Sequence, residues 1–167
     1  QAGVYQDRGD VPNAEKYYLL TLKADPNYVP AYIGLGEIAT GFNWVDKKLA
    51  YLGKAEKIDP HYFSLQNSIG FAYYNLAVAN NDNTDALNLS AKHLKLALNE
   101  DPEFYRSYNT LGLVEKRLGN TNAALADLAL SVQYSSKIEG FVYAKPYNNI
   151  GWVYYDLHQY DLAEAYY

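Results

Sequence analysis

The 167-residue sequence contains no cysteine and no methionine. Without cysteine there are no disulfide staples, thiolate nucleophiles or sulfur metal ligands. The compartment stays open, although a chain free of both sulfur residues is compatible with an extracytoplasmic setting. Without methionine, residue 1 is not a translation start, so a processed chain or a piece of a longer array is expected. Basic residues are scarce: 14 Lys and Arg stand against 19 Asp and Glu, a net charge of −5. That balance argues against a nucleic-acid partner, which would need a basic stripe. Long apolar runs are also missing. The longest candidate, 69–79, is broken by Asn75 and falls short of the roughly 20 residues of a membrane span.

Catalytic patterns are absent too. His61, His93 and His158 are scattered at no ligand spacing. There is no phosphate-cradling glycine loop, no G-x-S-x-G and no HExxH. The run Asn81-Asp82-Asn83-Thr84-Asp85 has Ala86 where a calcium loop needs glycine and Lys92 where it needs glutamate. Asn88-Leu89-Ser90 reads as a chance glycosylation sequon on a helix. The expectation is no catalytic residue, no metal, no cofactor and no enzyme activity.

What the chain does have is repetition. Apolar residues make up 49% and charged residues 20%, the balance of a folded protein, and 19 residues are tyrosine. The segments 25–28, 59–62 and 101–104 each read Asp-Pro-x-aromatic. Leu35-Gly36, Ile69-Gly70, Leu111-Gly112 and Ile150-Gly151 follow one another at intervals of 34, 42 and 39 residues. Apolar residues recur at three- and four-residue spacing, so each segment is an amphipathic helix. The expected helices are 1–8, 12–24, 29–41, 45–58, 62–79, 85–100, 104–118, 121–135, 143–157 and 160–167. Each glycine predicts a close helix approach, because its cost of about 1 kcal/mol needs a packing reason. The aspartate before each proline is expected to cap a helix.

This pattern resembles the tetratricopeptide repeat, a unit of about 34 residues built from two antiparallel helices. Tyr32, Leu35, Gly36, Leu52, Ala55 and Pro60 fit one unit. Ile69, Gly70, Tyr73, Leu94, Ala97 and Pro102 fit the next, and Tyr108, Leu111, Gly112, Gly119, Ala124 and Leu128 a third. Tyr147, Ile150, Gly151, Tyr154, Tyr160, Ala163 and Tyr167 fit the last, and a partial unit opens the chain at Ala2 and Tyr5. The resemblance implies an all-α, right-handed solenoid over 1–167, with units near 1–28, 29–62, 63–104, 105–138 and 144–167. Two insertions depart from the period, eight residues around 79–90 and five around 137–144. The first is expected to lengthen both helices of its unit. Glu115 stands where an aromatic is usual.

In this family the first helix of each unit lines a concave groove, which implies a non-catalytic scaffold with a protein or peptide partner. Asn67, Asn109 and Asn148 each precede their glycine by three residues and would form a ladder. An amide offers both a donor and an acceptor to a peptide backbone. Arg106 and Lys145 stand three residues before their asparagines. Phe71, Tyr74, Lys116, Trp152 and Tyr155 follow on the same face and would give an aromatic floor with scattered cations, suited to an extended or helical peptide. Two alternatives stay open. In one, the amides stitch neighbouring helices together instead. In the other, the terminal units, which lack polar capping helices, stack on other copies as a homo-oligomer. The opening Lys–Asn pair of the chaperone-tail clamp is absent.

Overall fold

Ten helices follow one another, and the computed structural model describes residues 1–41 and 43–167. They are α1 (Ala2–Asp7), α2 (Val11–Ala24), α3 (Val29–Glu37), α4 (Trp44–Ile58), α5 (Phe63–Ala79), α6 (Thr84–Glu100), α7 (Tyr105–Arg117), α8 (Thr121–Ser135), α9 (Lys145–Asp156) and α10 (Tyr160–Tyr166). No strand occurs among the described residues. Each odd helix packs antiparallel on the even helix after it, and the pairs stack in chain order. Among the odd helices α3 touches α5, α5 touches α7 and α7 touches α9, so these four form one continuous inner layer.

The buried stripes explain the stacking. One core cluster joins Val29 of α3, Leu52 and Ala55 of α4, and Leu65, Ile69 and Ala72 of α5. Another joins Tyr74 and Ala77 of α5 to Leu87 and Leu94 of α6 and to Leu111 and Val114 of α7. Both clusters cross a unit boundary, so these pairs do not bury their apolar faces alone. Glycines set the spacing. A β-carbon on Gly70 would lie 2.7 Å from Leu94 Cγ, and one on Gly112 would lie 2.7 Å from Leu128 Cγ. Neither site has room for a side chain.

The Asp-Pro turns differ from expectation. Asp25, Asp59 and Asp101 end α2, α4 and α6 as C-terminal flanking residues in extended conformation. Their carboxylates accept the N–H two residues on, from Asn27, His61 and Glu103, at 3.0, 3.0 and 3.1 Å. They build Asx turns rather than capping the next helix, which starts too far along the chain to reach them. The proline carbonyls also have a use. Pro26 and Pro102 accept from the hydroxyls of Tyr32 and Tyr108, and Pro60 accepts from Gln66 Nε2 at 2.7 Å. Gln66 in turn accepts from buried His93 Nδ1 at 2.6 Å, and burial lowers the His93 pKa, which favours the neutral ring in that bond.

Helix α3 stops at Glu37 rather than running to 41, and the chain beyond it turns through Gly41 at φ +85. The residue at 42 lies outside the described residues. The first insertion does lengthen α5 and α6, to 17 residues each. Their connection turns through Asn81 and Asp82, both with left-handed backbone. Asp82 is held by an ion pair to Arg117 of α7, whose Nε also donates to the Tyr74 hydroxyl at 3.2 Å. The second insertion, 137–144, forms no helix. Its Tyr143 packs edge-on against Tyr105 with ring centroids 4.9 Å apart, and Phe141 packs on the same ring.

The departure at Glu115 has a cost. At the matching register Tyr73 stacks on His93 and Tyr154 stacks on Tyr166, each joining the two helices of a pair. Glu115 instead puts a carboxylate near Asp127 of α8. Burial, with that charge added, pushes the Asp127 carboxyl up to about 6.

Candidate functional site

The inner layer of odd helices encloses a groove of about 630 Å³. Its walls come from every odd helix. Gln6 lies on α1, Ile33 and Glu37 on α3, and Ser64, Asn67, Ser68 and Phe71 on α5. Phe104 precedes α7, which supplies Arg106, Asn109, Thr110 and Leu113. Lys145, Asn148 and Asn149 come from α9, and Tyr143 reaches in from the inserted segment. Glu37 is ion-paired through one of its two oxygens. It accepts from Lys48 Nζ at 2.7 Å and from Ser68 Oγ at 3.1 Å, and Lys48 lies 5.4 Å from the Phe71 ring centroid.

Of the residues the sequence singles out, six meet in this groove: Asn67, Phe71, Arg106, Asn109, Lys145 and Asn148. The asparagines are not equivalent. Asn67 Oδ1 accepts from Ser107 Oγ at 3.0 Å, and Asn109 Oδ1 accepts from Asn149 Nδ2 at 2.8 Å. Both bonds tie one odd helix to the next, so the oxygens of these amides do stitch neighbouring units. Asn148 is exposed. Its side chain makes no hydrogen bond among the described residues.

The other four do not line the groove. Tyr74 is a core residue, 8% exposed, because the lengthened α6 and the end of α7 cover it; this corrects its place in the aromatic floor. Lys116 sits 3.7 Å from the Trp152 ring centroid and pairs with Asp156 at 2.5 Å. Lys116 and Trp152 thus hold α7 to α9 further along the layer. Tyr155 is exposed and packs edge-on against Tyr160.

Sequence reasoning misses Tyr143, Phe104 and Asn149. Only Asn149 carries a local signal, as the second amide of an Asn-Asn pair. Tyr143 is half-buried; burial raises its hydroxyl pKa while the Arg106 charge acts the other way. Arg106 is held more firmly protonated by its bond to the Tyr105 hydroxyl. Among the described residues no three His, Asp or Glu side chains group as a metal site. None of the helices is long and apolar enough to cross a membrane.

Residues 144–167 match the sequence profile of the tetratricopeptide repeat. No curated protein sequence matches the chain. Among solved structures, the chain is similar to TTC0263, a thermophilic tetratricopeptide-repeat protein of Thermus thermophilus. The TM-score is 0.82 and the identity 19%, over 99% of this chain and 84% of that one. It is also similar to MamA, with TM-score 0.70 and 21% identity over 99% of this chain and 89% of that one. A third similar structure is YrrB, described as a tetratricopeptide-repeat protein with an unusual peptide-binding site. There the TM-score is 0.64 and the identity 16%, over 99% of this chain and 78% of that one. The chain thus has the fold of a tetratricopeptide-repeat solenoid along its described length, and its last helix pair matches the sequence profile of that repeat.

Proposed function

We propose that the protein is a non-catalytic scaffold that binds a peptide segment of a protein partner in the groove of its odd helices. The observation that carries this reading is the convergence of side chains from all five odd helices on one open, polar-lined slot. Convergent polar groups over an apolar base are the usual make-up of a peptide or ligand site. The unusual peptide-binding site of YrrB belongs to that protein, but it supports the same use of this fold. Asn148 is the residue to test, because its amide has no structural partner to lose. A binder selected from a random peptide display library is expected to weaken about tenfold or more against Asn148→Ala, with the circular dichroism unchanged. A selected binder indifferent to Asn148→Ala and to Lys145→Ala would contradict this reading.

A second reading is end-to-end self-assembly. Leu19 and Leu20 on α2, and Tyr160 and Leu162 on α10, are exposed apolar side chains on the first and last pairs. Contact between two different faces of this kind generates open filaments when the rotation does not close. Sedimentation velocity over a wide concentration range tests it. Growth that is blocked by Leu162→Glu supports stacking, and a monomer at every concentration removes it.

A further inference from the structure

Six aromatic rings touch in sequence along the starts of α5, α7 and α9. Tyr62 packs on Phe63 with ring centroids 5.9 Å apart, and Phe63 meets Phe104 edge-on at 5.0 Å. Phe104 lies 6.2 Å from Tyr105, which holds Tyr143 at 4.9 Å and Phe141 at 6.0 Å. The rings come from two Asp-Pro turns, from the first residues of α5 and α7, and from the segment that breaks the repeat period. Tyr62 packs against the core cluster of α3, α4 and α5. Phe63, Phe104, Tyr105, Phe141 and Tyr143 belong to no core cluster among the described residues. They are half-buried or exposed, so they cover one another rather than fill the interior. Single apolar side chains on a surface are ordinary, but a contiguous run of them marks a contact surface. Two of the rings also face the slot. Phe104 and Tyr143 line the groove beside Asn67, Asn109 and Asn148, so rail and amides form one surface.

We infer that the groove takes a proline-rich segment in the polyproline II conformation, whose proline rings lie against Phe104, Tyr143 and the rings beside them while the asparagine amides hold its backbone. The inference rests on the groove being a peptide site. Three properties of such a ligand fit. Polyproline II rises about 3.1 Å per residue with three residues per turn, so it repeats roughly every 9 Å. Packed helices lie about 8–10 Å apart, so a proline at every third residue meets successive odd helices in one register. The ligand backbone makes no internal hydrogen bonds. Its carbonyls, and the N–H groups of its other residues, are therefore free for amides that both donate and accept. Proline-rich segments dock in aromatic-lined grooves, and a preformed helix loses little freedom on binding.

The test uses two fluorescein-labelled twelve-residue peptides, blocked at both ends. One has proline at every third position among serine, threonine and alanine, and the other has alanine in place of each proline. Fluorescence anisotropy against the whole chain is expected to show the proline peptide binding about tenfold more tightly. Phe104→Leu and Tyr143→Leu keep an apolar side chain and remove the flat ring. Each should erase most of the preference, with the circular dichroism and the binding of the alanine peptide unchanged. Phe141→Leu, at an exposed ring outside the groove lining, should erase a smaller part. Equal binding of the two peptides, binding of neither, or a preference that none of the ring variants changes would overturn the inference. In each of those cases a display-selected binder that is still weakened by Asn148→Ala leaves the groove reading standing, and one indifferent to that change removes both.

Discussion

Two glycines on neighbouring helices answer to different constraints. Gly70 of α5 abuts Leu94, whereas Gly53 of α4 has nothing within 4 Å of where its β-carbon would be. Overpacking costs about 1–3 kcal/mol, and helix propensity returns about 1 kcal/mol for an alanine. Gly70→Ala is therefore expected to lower the urea midpoint, while Gly53→Ala raises it. The two shifts are read from equilibrium unfolding at unchanged m-value. Asp127 gives a second test at this scale. Its folded pKa, about 6, lies above the ordinary 3.8, so the folded state takes up a proton that the unfolded state lacks. The stabilisation is present below about pH 4 and is lost as pH rises through about 6. Asp127→Asn should thus be more stable than the parent at pH 7 by about 1–3 kcal/mol and gain much less at pH 4. Thermal unfolding at the two pH values checks it.

At the scale of the element, the sequence is legible where the signal is local. All ten helices can be read from it to within a few residues, because the three- and four-residue apolar spacing and the Asp-Pro punctuation sit within each helix or its turn. The eight-residue insertion is legible as helix lengthening for the same reason. Non-local pairings are not. Nothing in the sequence says that Asp25, Asp59 and Asp101 close turns instead of capping the next helix, since that depends on how far along the chain the helix begins. Nothing says that Asn67 gives its oxygen to Ser107, 40 residues away. Tyr143 lies in a segment with no period at all, and its place follows only from packing on Tyr105. The ladder's position is thus readable and its chemistry is not. Arg117 shows what such long-range ties do. It joins the end of α7 to Asp82 in the α5–α6 turn and to Tyr74. Arg117→Ala is expected to speed hydrogen exchange at Asn81–Asn83 and leave exchange in α1 and α2 unchanged. Unchanged exchange in the turn would mean that the left-handed backbone there holds itself.

For the whole molecule, the stacking that no pair can manage alone creates the inner layer, and the inner layer creates the groove. Core clusters that cross unit boundaries fix the odd helices relative to one another, so residues from five helices face one slot, joined by Tyr143 of the inserted segment. A site on rigid helices is preorganised, which spares a ligand part of the ordering cost of binding. The central claim is that this slot, and no other face, receives the partner. The most direct measurement is nitrogen-15 chemical-shift mapping with a display-selected peptide titrated into the labelled chain. Shifts concentrated at Asn67, Arg106, Asn109, Tyr143, Lys145 and Asn148, with the even helices quiet, are the expected result. Shifts confined to α2 and α10, with the groove residues unmoved, would contradict the account and place the binding surface on the outer faces of the solenoid.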